Sequence, residues 1–133
     1  MRPFRPDEEA TVHFTVTPEM TARFGERPIH PVLATAQLVY YAEWAARLLL
    51  EPHLEDEEEG VGAEVHLRHL EPVAVGREVQ VSARAPEATP GRLACRVEAH
   101  VEGRRVAEGT VIQAVLPRER WLARMRGLSP PHP

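Results

Sequence analysis

A few side chains in this sequence pair reactive chemistry with an unusual setting. Glu43 sits in the run VLATAQLVYYAEWAARLLL, residues 32–50, among apolar neighbours. A carboxylate there is costly unless it is paired, hydrated or protonated. The competing reading is an ordinary i, i+4 ion pair with Arg47. His66 and His69 look like a metal-ligand pair. Their odd spacing on a strand sends them to opposite faces, so they cannot chelate one ion and no metal site is expected. His69 shares the face of Val65 and Leu67, where an imidazole is either a satisfied interior group or an acid–base group. Gly62 interrupts the same strand, a position that often lets a ligand or another backbone approach closely. Thr35 opens the run that holds Glu43 and reads from pattern alone as a cap or a back-bonded helical residue. Cys95 faces inward as a small hydrophobe. Arg104, Arg105, Arg118 and Arg120 have the chemistry to meet phosphates, although surface arginines are ordinarily solvated.

Composition removes whole classes of chemistry. All 16 basic residues of the 133 are arginine, so no lysine is present for a Schiff base or a phosphate-loop motif. Neither serine, Ser82 or Ser129, lies in a nucleophile elbow, and asparagine is absent. The net charge of −4 argues against a general nucleic-acid binder. No apolar run reaches the roughly 20 residues of a membrane helix, and the first residues lack a signal-peptide apolar region. A lone cysteine excludes an intrachain disulfide, and a cytoplasmic setting is expected.

The elements that must hold these groups follow from periodicity. Residues 1–10 form a lead-in arm. Thr11–Val16 alternates as a strand, and Thr17–Pro18 starts a short helical turn ending near Phe24–Gly25. Glu26–Pro31 reads as a loop. Val32–Leu50 is the long helix, stopped by Pro52 and apolar nearly all round, so other structure must wrap it. An acidic turn covers Glu55–Gly60. Four strands follow: Val61–His69, with Val61, Ala63, Val65, Leu67 and His69 on one face; Glu78–Ala85; Arg92–Glu102; and Arg105–Leu116, where Gly109 marks a bulge. Pro117–Gly127 reads as a terminal helix with Trp121, Leu122 and Met125 inward, and residues 128–133 as a flexible tail. The expectation is one α+β domain over 1–133, an antiparallel five-stranded sheet wrapped around one central helix, which is the hot-dog arrangement.

The segments VLATAQLVYYAEWAA, VGAEVHLRHLEPVAVG and GRRVAEGTVIQAV, in that order, resemble the fluoroacetyl-CoA thioesterase-like branch of the hot-dog thioesterases. The likeness spans residues 11–120. It implies a catalytic set of Thr35, Glu43 and His69, with Gly62 matching the glycine of the family's strand motif. The family closes its pocket with a lid carrying phenylalanines just before the helix. The corresponding stretch here, TARFGERPIHP, has Phe24 as its only aromatic residue, so fluoroacetate selectivity is not expected to carry over.

The resemblance implies an acyl-CoA thioesterase that hydrolyses a small or medium acyl thioester, with coenzyme A as part of the substrate and no separate cofactor. Ala36, Gly62 and Phe24 are the implied substrate contacts. Backbone N–H groups around Ala36 would stabilise the oxyanion, and Glu43, or a water it activates, would attack the carbonyl. A straight helix separates Thr35 from Glu43 by about 12 Å, so a direct contact needs Thr35 to lie before the helix. A homodimer or dimer of dimers is expected to cover the sheet edge and the helix flank, with Tyr40 and Trp44 suited to the interface. A non-catalytic acyl-CoA binder or structural dimer is the alternative. A hot-dog hydratase fits less well, because its asparagine-containing motif is missing.

Overall fold

Strict alternation places Val79, Val81 and Ala83 of one strand and Leu93, Cys95, Val97 and Ala99 of the next on a single buried face. That face is the floor of the molecule. The computed structural model describes residues 1–128. Its elements are β1 (Glu9–Thr15), β2 (Thr21–Phe24), β3 (Arg27–Leu33), α1 (Thr35–Leu50), β4 (Glu58–His69), β5 (Glu78–Thr89), β6 (Arg92–Val101), β7 (Arg104–Pro117) and α2 (Arg118–Gly127). Five strands form one antiparallel sheet in the order β1-β5-β6-β7-β4. Helix α1 lies on its inner face against all five, as the hot-dog arrangement requires. The side of α1 turned to the sheet is Leu38, Ala42, Ala45, Ala46, Leu49 and Leu50, all buried. Alanine at three of these positions lets helix and sheet approach closely.

Several local expectations change. Residues 21–33 are neither a helical turn nor a loop. After one 3-10 turn at Pro18–Met20 they form the hairpin β2–β3, a separate two-stranded sheet with Gly25 at its tip in the left-handed region, φ 62°. The long helix starts at Thr35 because Val32 and Leu33 still belong to β3. Glu58–Gly60 of the acidic segment is strand, not turn, and its register runs opposite Val115–Pro117. Strand β5 continues beyond Ala85 to Thr89, absorbing an irregularity between Arg84 and Glu87.

Two corrections concern glycines. Gly109 is not a bulge. It pairs in register with Leu67 and Val97, and a side chain there would strike the His66 carbonyl oxygen at 1.8 Å. The bulge falls instead at Ala63, between Gly62 and Glu64. One extra residue reverses the alternation. Gly60 and Gly62 therefore face α1, as do Val65, Leu67 and His69 beyond the bulge, while Val61 and Ala63 leave the expected row.

The lead-in arm is docked. Phe4 stacks on His53 at 3.8 Å, and Met1 and Phe4 pack on Leu50, Leu93 and Val115. The Met1 amino group bonds Glu58 and holds that carboxyl below its usual range, together with the backbone N–H of Glu55. Burial pushes the Cys95 thiol up to about 11, as an inert interior cysteine requires. Helix α2 does not bury its apolar side. Leu122 and Met125 are exposed and Trp121 is half-buried, because α2 packs mainly on β7 and β4 and makes few contacts with them. Of the expected tail only Leu128 is described; residues 129–133 lie outside the described residues.

Candidate active site

The chain reaches α1 along a fixed path. The Leu33 N–H bonds the Val73 carbonyl and the Ala34 N–H bonds that of Met20, each at 2.9 Å. Ala34 is extended and caps the helix without a side chain; its carbonyl accepts from Gln37 and Leu38. The N–H groups of Thr35 and Ala36 are left as the first-turn donors, and both residues are exposed. The positive end of a 16-residue helix therefore meets the surface at Ala36.

His69, the last residue of β4, turns toward this point. Thr35 Oγ1 and His69 Nδ1 lie 2.9 Å apart. The other ring nitrogen, Nε2, is buried and has no hydrogen-bond partner among the described residues. The solvent-facing member of the pair is thus the Thr35 hydroxyl. His66 projects to the other face, 3.5 Å from Glu64, so the two histidines do not converge.

Glu43 lies eight residues further along α1, about 12 Å from Thr35 by helical rise. It is exposed, and no ion pair engages it among the described residues. The i, i+4 pairing with Arg47 is not made. Arg47 bonds Glu51 at 2.9 Å and the Gly60 carbonyl at 2.9 Å, and lies 3.8 Å from Glu59. The Glu43 carboxylate instead lies over Gly62, where a β-carbon would stand 3.1 Å from Oε2. Both line an open cleft of about 390 Å³ with Tyr40, Trp44, Arg47, Val111 and Gln113.

The expected set therefore falls into two halves within a protomer. Thr35, Ala36 and His69 gather at the start of α1, and Glu43 and Gly62 gather two turns on. Phe24 belongs to neither. It projects from the β2–β3 hairpin, 81% exposed. Gln113, buried in the cleft and bonded to α1, is absent from the residues singled out by sequence. Its signal is the inward row Ala107, Val111, Gln113, Val115, in which one amide replaces an aliphatic side chain.

Known proteins resemble this chain over nearly all of it. The sequence profile of the fluoroacetyl-CoA-specific thioesterase family matches residues 16–119. The fluoroacetyl-CoA thioesterase of Streptantibioticus cattleyicolor is 31% identical over 134 residues, covering 95% of each chain. A crystal structure of a Thermus thermophilus thioesterase superfamily member superposes with a TM-score of 0.92 at 42% identity, over 96% of this chain and 95% of that one. A threonine-to-serine variant of fluoroacetyl-CoA thioesterase, solved with acetyl-CoA, superposes with a TM-score of 0.82 at 30% identity, over 96% and 100%.

Proposed function

This chain belongs to the fluoroacetyl-CoA-specific thioesterase family and is an acyl-CoA thioester hydrolase, and we propose that its site is assembled from two copies of the chain. The observation that carries the proposal is the 2.9 Å contact between Thr35 and His69 at the free N-terminus of α1. Glu43, without an ion-pair partner among the described residues, lies about 12 Å away on the same helix. Residues 35 and 43 are symmetric about Val39. A two-fold axis near Val39, with the helices antiparallel, would set Thr35 of one protomer opposite Glu43 of the other. Round the helix from that axis, the outward face of α1 carries Tyr40 and Trp44, 57% and 46% exposed. The 12-residue edge strand β4 also needs cover, which its own mate can supply.

In this site the thioester carbonyl oxygen takes the N–H groups of Thr35 and Ala36, and the helix end stabilises the developing negative charge. Glu43 removes a proton from water as the water oxygen bonds the carbonyl carbon. Collapse breaks the carbon–sulfur bond. The proton that Glu43 holds passes to the departing thiolate, assisted by the Thr35 hydroxyl that His69 orients, leaving a carboxylic acid and free coenzyme A. Gly62 leaves room for the thioester beside β4. No separate cofactor is required, and a cytoplasmic setting suits a coenzyme A ester. The substrate is a small or medium acyl-CoA. Phe24 is the sole aromatic of the exposed hairpin, and fluoroacetate selectivity is not assigned to this chain.

The test is thiol release over a panel of acyl-CoA esters. Glu43→Gln and His69→Ala are each expected to lose at least about a hundredfold in kcat while remaining folded, and Thr35→Ala to lose roughly tenfold or more. Tight binding of the esters without turnover by the wild-type protein would overturn the proposal and favour a binding role.

A further inference from the structure

Three side-chain hydrogen bonds tie α1 to the main sheet among the described residues. Thr35 meets His69 at the start of the helix and Arg47 meets the Gly60 carbonyl near its end. Between them, Gln113 Nε2 donates to the Ala46 carbonyl at 3.0 Å. Gln113 is 4% exposed, and its neighbours on the inward row of β7 are aliphatic. Burying an amide among such residues is unfavourable unless it is paired, so simple filling of space would be better done by leucine or methionine. The Ala46 carbonyl already serves the helical ladder, and the amide takes its second lone pair.

The placement gives this bond an object. Ala46 lies one turn beyond Glu43. Gln113 stands directly opposite Gly62 in the β4–β7 register, and the Glu43 carboxylate lies over Gly62. The helix face here is Ala42, Ala45 and Ala46, which offers no large side chain to key its position on the sheet. We propose that Gln113 is a positioning residue, clamping the turn of α1 that bears Glu43 so that its carboxylate is held in the cleft above Gly62. The proposal depends on Glu43 being the reacting carboxylate.

Two variants test it on acetyl-CoA hydrolysis. Gln113→Met keeps the volume and removes the amide. Gln113→Asn keeps the amide and withdraws it from Ala46 by one methylene. Each is expected to lower kcat roughly tenfold with KM within about twofold, as a small displacement of a reacting group does. Combined with Glu43→Gln, each is expected to add little to the loss that Glu43→Gln causes alone, because the two act through one group. Equal losses in both backgrounds would show a general structural role and overturn the proposal. Folded variants with wild-type kcat would overturn it as well, as would failure of both variants to fold. A fully active Glu43→Gln would refute the underlying reading of the carboxylate, and the positioning role with it.

Discussion

Glu43 owes its availability to what its neighbours do elsewhere. Arg47 is the natural partner at i+4, yet Glu51, Glu59 and the Gly60 carbonyl engage it. The carboxylate is then left facing a strand with no side chain. This arrangement makes Gly62→Ala a sharp probe. Gly62 has no left-handed φ, so the added methyl brings no backbone strain. It brings a contact 3.1 Å from Oε2, which pushes the carboxylate by a few tenths of an ångström. Turnover should fall roughly tenfold, while thermal unfolding stays close to wild type. Unchanged kcat would show that the carboxylate does not react from this position. His69 is the complementary case: its Nδ1 is committed to Thr35 and its Nε2 is buried.

At the level of elements, β4 does the most to organise the site. Its bulge at Ala63 lets both Gly62 and His69 face the helix, although their spacing of seven positions is odd. Without the extra residue one of the two would point away. Gly109 lies beside the same strand, where β7 passes so close to the His66 carbonyl that only hydrogen fits. Gly109→Ala should force β4 and β7 apart. Overpacking against backbone is expected to cost about 3 kcal/mol or more, read as a lower denaturant midpoint. Gly60→Ala is the control, since its added carbon meets the end of the Leu50 side chain rather than backbone and should cost less. Equal midpoints for the two variants would contradict the close approach.

For the whole molecule, the exposed flank of α1 is the feature that a single copy does not resolve. Tyr40 and Trp44 form an aromatic ladder with Tyr41, which itself stacks on Phe14 at 3.8 Å. The two outer members stand in solvent beside Glu43. Trp44→Asp places a charge on this flank without touching the interior. It should yield a folded monomer in sedimentation velocity and reduce turnover at least about tenfold, since charge buried in an apolar interface is strongly disfavoured. A dimer that persists with full activity would place the interface elsewhere.

The periodic elements were legible before any coordinates. Val79, Val81 and Ala83 alternate, the run from 35 to 50 carries a buried stripe, and Pro52 stops it. Thr35, Glu43 and His69 stood out through a resemblance to one family. These are local properties, written in neighbouring residues and in the physics of strand and helix. Hidden from such a reading were the hairpin at 21–33, the bulge at Ala63, the diversion of Arg47 and the clamp from Gln113. Each depends on residues far apart in the chain. A bulge is decided by how β4 must bend to follow β7, an ion pair by which carboxylates arrive beside a guanidinium, and an amide bond by the depth at which a helix settles on its sheet. Only folding brings those competitors together, and so only the tertiary structure chooses among them.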